Sequence, residues 1–577
     1  MHKSLYSTKK TIKYLGTFKK SILNQKELAK EFIRLIIKKH KELDSQQVVM
    51  TEWNYAKLKN EFSKEFKIPN IRNIELIEAF RQLVLDKEIE KDRYIEKLIS
   101  RRKVRSESGV AVITCQTKPF ACPGRCVYCP TEPNMPKSYL SNQPASMRAV
   151  LNKFDPFNQT QNRLASLMVT GHDPSKCEII VIGGTWSFLP LDYQKEFIKS
   201  IYDGLNQEID HKEIETYGSF FKCPKIERRE NSKDLKSAIE KNEKSKHRCV
   251  GLTLETRPDF ITEEEVKRFR EYGCTRVELG VQTLFDDVQE ITKRGHTRKD
   301  TARATQLLRD AGFKIGWHLM PGLPGSNSKK DMETVRMTFE DEDFKPDLIK
   351  FYPCVVTPYS ELEKIYKDGN FTPLTTKELV PILLNMKKLV PRFCRIIRLV
   401  RDIPKESIIA GCTVINLRQI IQKDLEEQNI KCNCIRCREI KSERINDVEM
   451  IRTNYRANGG DEIFLTFDEK KKDKLISLLR LRIPSQYFTK EKHFIKELGG
   501  CAIIREIHTY GQQTVIGERD GNSQHFGFGR KLIVEAERIA KEEYNLKKIA
   551  VISGIGTREY YRKFGYELEG TYMVKEL

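Results

Sequence analysis

The chain has 577 residues, 39% hydrophobic and 32% charged, with 15 cysteines and a net charge of +22. That length exceeds what one core supports and predicts three or four domains. No apolar run reaches the roughly 18 residues of a membrane span, and no secretory apolar region opens the chain. An odd, clustered set of cysteines in so long a chain favours metal ligation in a reducing compartment over disulfides, so a cytoplasmic protein is expected. The positive excess points to a polyanionic partner, RNA or DNA, although a lysine-rich proteome gives the same composition.

Residues 1–26 carry many lysines and no acid, which suits either a solvated tail or a phosphate-contacting arm. From Lys26 to about Ser100 the apolar spacing is helical. Leu28, Phe32, Leu35 and Ile36 share one face, as do Leu76, Phe80, Leu83 and Val84, with basic residues opposite. Residues 1–100 therefore read as a basic helical, nucleic-acid-binding region, closed by Arg101-Arg-Lys-Val-Arg105.

From Val110 to about Tyr352 strands alternate with helical runs. The strands are Val110–Ile113, Glu178–Ile182, Cys249–Leu254, Arg276–Val281, Lys314–Met320 and Asp347–Tyr352. Repeated β-then-α predicts a parallel sheet with helical crossovers, here a partial (β/α)6 barrel over residues 101–359 with function at the C-terminal strand ends. The first strand feeds Cys122-Pro-Gly-Arg-Cys126-Val-Tyr-Cys129-Pro130. Three thiolates leave one iron of a cubane cluster without a protein ligand. A plain electron-transfer cluster or a structural zinc would want a fourth ligand, for which Cys115, seven residues upstream, is the alternative.

Further strand ends carry Gly183-Gly184, Glu255-Thr-Arg-Pro-Asp259, Glu278 with Gly280-Val-Gln282, Lys293-Arg-Gly-His296, and His318-Leu-Met-Pro-Gly. Together they make an active-site rim. The charged stretch from Glu208 to Lys246 reads as a mobile surface insertion. Residues 360–450 lose the βα rhythm and read as a linker bearing Cys432-Asn-Cys434-Ile-Arg-Cys437. That spacing suits zinc with a fourth ligand from elsewhere, or else a set of free thiols.

Residues 451–577 form the last expected domain. Glu462–Phe467 and Lys474–Ile483 read as an antiparallel pair, followed by the strand Gly500–Thr509. Gln524-His-Phe-Gly527-Phe528-Gly529 opens the helix Leu532–Glu542. A Q-x-x-G-x-G loop at a helix start offers backbone N–H groups to a pyrophosphate. A strand at Lys548–Ser553, a turn at Gly554 and a Tyr-rich helix around Tyr560 and Tyr561 complete the order.

The cysteine loop resembles that of radical S-adenosylmethionine (SAM) enzymes, and the C-terminal order resembles the GCN5-related N-acetyltransferases. Their combination resembles the catalytic subunit family of Elongator, the tRNA uridine carboxymethyltransferases. The match runs from about Lys91 to the C-terminus through Arg105-Ser-Glu-Ser-Gly-Val-Ala-Val112, Cys126-Val-Tyr-Cys129, Ser146-Met-Arg148, Gly183-Gly-Thr185, Glu255-Thr-Arg-Pro-Asp259, Glu278-Leu-Gly-Val-Gln-Thr283, Gln524-His525, Ile549-Ala-Val-Ile-Ser-Gly554 and Tyr572-Met-Val-Lys575.

The resemblance implies an α/β chain in which a radical SAM barrel is joined to an α+β acetyltransferase domain. It implies a 4Fe-4S cluster on Cys122, Cys126 and Cys129, and SAM held by the Gly183-Gly184 pair together with Glu278 and Gln282. Acetyl-CoA would lie along Glu506-Ile507-His508, with its diphosphate at Gln524, Gly527, Phe528 and Gly529. Tyr560 would close that site, with Tyr561 able to share the task. A deoxyadenosyl radical would take hydrogen from the methyl of acetyl-CoA. The acetyl radical would add to carbon 5 of the wobble uridine in a tRNA anticodon stem-loop, and hydrolysis would leave a carboxymethyl group.

The gap between the first two cluster cysteines is shorter than in eukaryotic members, and Met168 stands where some members carry a lysine that contacts acetyl-CoA. The C-x-C-x2-C group looks like compact prokaryotic members that act without other Elongator subunits. Those subunits would be partners only of a eukaryotic chain, and a homodimer is a further expectation. A protein lysine acetyltransferase and a non-catalytic tRNA-binding subunit are the competing readings.

Overall fold

The computed structural model describes residues 25–45, 50, 52–90, 92–99, 109–209, 226–414, 416–440, 445, 447–510 and 527–577. The basic stretch before residue 25, the Arg101–Arg105 run, residues 210–225 of the charged insertion, and Gln524 with His525 lie outside the described residues. Among the described residues no helix is long and apolar enough to cross a membrane.

The chain divides into two compact units. One comprises the described residues up to Ile99 together with 165–173. Its helices are Gln25–Asp44, Glu52–Glu65, Asn73–Leu85 and Arg93–Ile99. The expected apolar faces do meet: Phe32, Ile36, Leu76, Phe80 and Leu83 are all buried in one core, with Val84 packed against it. Each such side chain contributes roughly 1.5–3 kcal/mol by leaving water. Met168 lies in this unit, and Arg81 donates to its carbonyl.

The second unit holds both sheets. The first is β1 (Ala111–Gln116), β2 (Lys176–Ile182), β3 (Arg248–Thr256), β4 (Arg276–Gln282), β5 (Lys314–Leu319), β6 (Leu348–Phe351) and β7 (Arg395–Arg398). They lie side by side in chain order, every pair parallel. Strands covered on both faces need apolar side chains on both, and β4 and β6 are buried along almost their whole length. The six expected strands are all present. β7 extends the sheet from within the stretch read as a linker, where Arg-Ile-Ile-Arg is too short and too charged to show a strand pattern.

The charged insertion is also more built than expected from residue 226 onward. Asp234 caps the helix Leu235–Asn242 through the Ser237 amide, and Ala238 and Ile239 are buried. Arg228 pairs with the buried Asp203 at 2.9 Å, and Arg558 with Glu243 at 2.7 Å.

The second sheet comprises β8 (Val448–Ala457), β9 (Gly460–Glu469), β10 (Lys474–Ile483), β11 (Cys501–Thr509), β12 (Lys548–Val551), β13 (Glu567–Glu569) and β14 (Tyr572–Glu576). Its order is β13-β14-β12-β11-β10-β9-β8, antiparallel except for β11 with β12. β8 was not anticipated: as an edge strand it alternates exposed and half-buried residues and looks like loop.

This sheet docks against the N-terminal ends of β5, β6 and β7. Lys314 meets Glu506 at 3.3 Å, Asp347 meets Arg505 at 2.7 Å, and Arg395 meets Tyr510 at 3.4 Å. The approach is close enough to require glycine. A Cβ on Gly554 would come within 2.2 Å of the Val250 carbonyl oxygen of β3, and one on Gly556 within 2.4 Å of Arg248 Cβ.

Candidate active site

Residues 117–143 form the loop after β1, at the C-terminal end of that strand. Backbone bonds fix it: the Val127 amide donates to Thr292, Leu362 donates to Val127, and Cys129 donates back to Cys126. Arg294 reaches Cys126 Sγ at 3.5 Å while also donating to the Gly280 carbonyl at 2.5 Å. The neighbouring Cys129 hydrogen bond and the Arg294 charge hold the Cys126 thiol below its usual range, against the upward pull of burial. A Cβ on Gly124 would lie 2.9 Å from an Arg257 nitrogen, so the loop's glycine admits that arginine.

Thr185 Oγ1 is 3.8 Å from Cys122 Sγ. Cys115, the alternative fourth ligand, is excluded. It is fully buried in β1, 3.5 Å from Thr160 Oγ1, and burial pushes its thiol up to about 12. Three thiols on one loop with cationic neighbours, and Cys115 turned away into β1, suit a 4Fe-4S cluster with one iron left for another ligand.

Beside the loop, Gly183 and Gly184 have φ of +136° and +92°. A Cβ on Gly183 would strike Thr117 Oγ1 at 2.0 Å. The pair thus exposes bare backbone next to the thiols. Gln282, at the end of β4, has φ of +70°, and its Oε1 is buried with no partner. A side chain held so, with an acceptor unsatisfied, fits a polar ligand.

Glu278 behaves differently from the sequence expectation. Its carboxylate is 1% exposed and is engaged by Lys350, by His318 Nε2 at 2.9 Å and by Arg276 at 3.6 Å. Burial alone would raise its pKa, but Lys350, His318 and Arg276 outweigh that and hold it ionised. Lys350 also reaches Glu255 at 3.6 Å, and Tyr139 donates to Glu255 at 3.0 Å. Glu255, Glu278 and His318 have the donor set of a metal site. The Lys350 ammonium already supplies the cation between the two carboxylates, so they need no metal. Lys350 sits on an otherwise apolar strand, Leu-Ile-Lys-Phe. A lone inward cation in such a run was the one sequence signal for it.

At the other sheet, β11 and β12 pair in parallel only from Cys501–Lys548 to Ile504–Val551. Against β10 the register of β11 slips where Arg480 faces Glu506 and Leu481 faces Ile504, leaving Arg505 as a bulge. A bulge bends its strand. From Glu506 to Thr509, β11 continues half-buried without pairing to β12. The helix Phe528–Arg538 starts beside this splay, capped by Gly527 at φ +68°. A Cβ on Gly529 would lie 3.1 Å from Tyr560 Oη and 3.6 Å from Ile507 Cδ1.

So Ile507, Gly529 and Tyr560 are together. Tyr560 is 40% exposed, whereas Tyr561 is buried at 5% and stacks edge-on with Tyr566. The Glu506 side chain is committed to Arg480 at 2.9 Å and Lys314, which leaves its backbone as what it can offer a ligand. Open main chain beside a helix N-terminus suits an extended ligand ending in a diphosphate.

Cys432, Cys434 and Cys437 bring their sulfurs within 4.8 Å of one another, and among the described residues no fourth ligand joins them. Lys387 Nζ is buried without a partner, and its charge acts on Cys437.

The Radical SAM superfamily matches residues 119–338, and the radical SAM C-terminal domain residues 346–427. The chain is 41% identical over 504 residues to the tRNA uridine(34) acetyltransferase of Methanocaldococcus jannaschii, covering 85% of this chain and 88% of that one. It is 38% identical to human Elongator complex protein 3, over 82% and 86% of the two chains. The solved structure of Methanocaldococcus infernus Elp3 lacking residues 1–46 superposes with a TM-score of 0.69 at 38% identity, over 82% of this chain and all of that one.

The chain belongs to the Elongator complex protein 3 family. As a radical SAM member of that family it uses a 4Fe-4S cluster and SAM. The Elongator-type barrel thus places Cys122, Cys126, Cys129, Gly183, Gly184 and Gln282 around one strand-end rim. Ile507, Gly527, Phe528, Gly529 and Tyr560 form a separate group on the second sheet. Arg294 and His318 belong to the expected rim but had no role assigned there, and Lys350, absent from it, stands beside them.

Proposed function

We propose that this protein modifies the wobble uridine of tRNA, attaching an acetyl-derived carbon to carbon 5 of the base and yielding 5-carboxymethyluridine. The relatives named tRNA uridine(34) acetyltransferase support the site of action and the donor class. The observation that carries the reading is the splayed edge of β11 beside Gly529, in the same compact unit as the three-thiol loop. A radical SAM barrel acting alone has no use for such an edge, and a lysine acetyltransferase has no use for the thiols.

When bound, the cluster and SAM supply a radical that abstracts hydrogen. Cys122, Cys126 and Cys129 hold the cluster, and Arg294 balances charge at Cys126. Gly183-Gly184 and Gln282 hold SAM. The Glu506–Thr509 main chain and the Gly527–Gly529 turn hold acetyl-CoA, and Tyr560 closes over it. The anticodon base must leave its stack to enter the barrel. The +22 charge supplies the salt-sensitive grip on tRNA. Cys432, Cys434 and Cys437 would supply three of the four ligands of a structural zinc.

The test is anaerobic: reconstituted protein, SAM, dithionite, acetyl-CoA and tRNA, followed by nucleoside mass spectrometry. Carboxymethyluridine in the wild type and its loss in Cys126→Ala are expected. Cleavage of SAM without any modified uridine overturns the proposal. Acetylated lysine made undiminished by Cys126→Ala would favour the protein acetyltransferase instead.

A further inference from the structure

Adding a carbon radical to carbon 5 of uridine opens the C5–C6 double bond. The unpaired electron is left on C6 and the original hydrogen stays on C5. Restoring the double bond requires one electron to leave C6 and one proton to leave C5. The electron would have a destination in the iron–sulfur cluster that Cys122, Cys126 and Cys129 would hold, a one-electron donor at the start that would be left able to accept one. The proton needs a base.

Most polar groups inside the barrel mouth are unsuited. Lys350, Arg276 and Arg257 are cations, which donate but do not accept. Burial pushes the Tyr139 and Tyr352 hydroxyls further up. Glu278 is ionised but only 1% exposed and closed in by its partners. Glu255 is taken up by the Tyr139 hydroxyl at 3.0 Å and by Lys350 at 3.6 Å. Burial pushes His296 down to about 2, too weak a base. His318 remains, at the end of β5. Its side chain keeps 13% of its surface. Two residues on, Met320 packs against the group that contains Cys126 and Cys129, so His318 lies on the strand end that meets the thiol loop.

We propose that His318 is the general base that takes the C5 proton, and that Glu278 is its positioning residue. This rests on the function proposed above. The Nε2–Glu278 contact of 2.9 Å fixes Nε2 as the protonated nitrogen, because an ionised carboxylate only accepts. Nδ1 is then left with a free lone pair. Burial, and then the charge of Lys350, keep the imidazole neutral and ready to accept. In the step, Nδ1 bonds the proton, the C5–H bonding pair becomes the C5–C6 π bond together with the C6 electron, and one electron passes to the cluster. The imidazolium so formed is paired with the Glu278 carboxylate. This is the role a buried acid plays behind a catalytic histidine. Lys350 holds Glu278 ionised.

The test separates hydrogen abstraction from proton removal. Wild type, His318→Gln, His318→Asn, Glu278→Gln and Glu255→Gln are each given SAM, dithionite, tRNA and acetyl-CoA carrying a CD3 group. Three quantities are read: 5′-deoxyadenosine formed, deuterium in it, and modified uridine in tRNA. Cluster absorbance checks assembly.

Both His318 variants should keep deuterium transfer within about threefold, yet make at least about 100-fold less carboxymethyluridine, the usual scale of general-base loss. A 5,6-saturated adduct two mass units heavier should appear. Glu278→Gln should show the same uncoupling to a lesser degree, and Glu255→Gln, which tests the other rim carboxylate as the base, should uncouple less than either His318 variant. The inference is overturned if the His318 variants keep the wild-type ratio of nucleoside to deoxyadenosine. It is also overturned if both products fall in parallel, or if Glu255→Gln uncouples as much as they do. A wild type that transfers deuterium but leaves uridine unmodified sinks the proposed function itself, with this inference.

Discussion

Arg505 grips Asp347 with two guanidinium nitrogens, at 2.8 and 2.7 Å, and both residues are fully buried. The arginine is the bulged residue of β11, and the aspartate immediately precedes β6. The pair therefore ties the second sheet to the barrel. Arg480 reaches the same aspartate at 3.3 Å, and Glu462 takes the other side of Arg505 at 2.7 Å. Removing one partner leaves an uncompensated buried charge, which costs about 3–5 kcal/mol. Asp347→Ala is expected to lower the unfolding free energy read from urea titration by that amount, with a lower midpoint, and to split unfolding into two transitions. A double change of Asp347→Leu with Arg505→Met should recover much of the loss. A single-transition Asp347→Ala with an unchanged midpoint would rule the pair out as the tie.

Gly554 makes the same junction by shape. A Cβ there would meet the Val250 carbonyl oxygen at 2.2 Å, where backbone cannot yield as a side-chain tip can. Gly554→Ala should destabilise by about 1–3 kcal/mol as an overpacking change. Gly500→Ala is the control: its φ is +72° but nothing lies within 4 Å of an added Cβ, so only backbone strain of about 1 kcal/mol applies. Thermal unfolding of the two variants should rank in that order.

Acetyl-CoA binding is expected to depend on Gly529 and Tyr560 and much less on Tyr561. Gly529→Val puts a branched side chain into the space shared with Tyr560 and Ile507. Affinity for acetyl-CoA, read by calorimetry, should fall at least about tenfold (about 1.4 kcal/mol) while SAM affinity stays. Tyr560→Phe should weaken acetyl-CoA binding without changing the unfolding midpoint. Tyr561→Phe should do neither, because that ring is buried against Tyr566. Equal effects from the two tyrosine variants would remove the distinction.

What the sequence made legible follows from how each signal arises. Parallel strands such as Arg276–Gln282 announce themselves because both faces are buried, and the cysteine spacing is local chemistry that needs no fold to be seen. β7 and β8 stayed hidden because their strand character comes from neighbours: β7 by pairing to β6, β8 as a half-solvated edge on β9. The same holds in the site. Gly183, Gly184, Gly527 and Gly529 were readable from loop composition. The His318–Glu278–Lys350 set was not, since it joins β4, β5 and β6 and exists only once those strands lie side by side. Glu506 was assigned to the ligand on family pattern, yet its carboxylate is spent on Arg480 and Lys314.

Acid should loosen the splayed edge of β11 in two separable stages. Burial drives the His508 pKa from the usual 6.5 down to about 4. Between those values the unfolded chain binds a proton that the folded chain refuses, so stability falls as pH drops from 6.5 and the effect levels off near 4. The slope from one such group is at most about 1.4 kcal/mol per pH unit. Glu506 acts lower down. Burial would raise its pKa, but Lys314 and Arg480 overcome that and hold it at about 2. Its contribution is present above the normal carboxylate range and is lost as pH falls from about 4.5 through 2. Both signs agree, so the urea midpoint should decline monotonically below pH 6.5. His508→Gln should flatten the decline between pH 6.5 and 4 and leave the lower part intact. Glu506→Gln should lower the midpoint at pH 7 and flatten the curve only below about 4.5. Midpoints at half-unit intervals decide it: a His508→Gln curve parallel to wild type from 6.5 to 4 would show that this histidine is not held neutral by the fold.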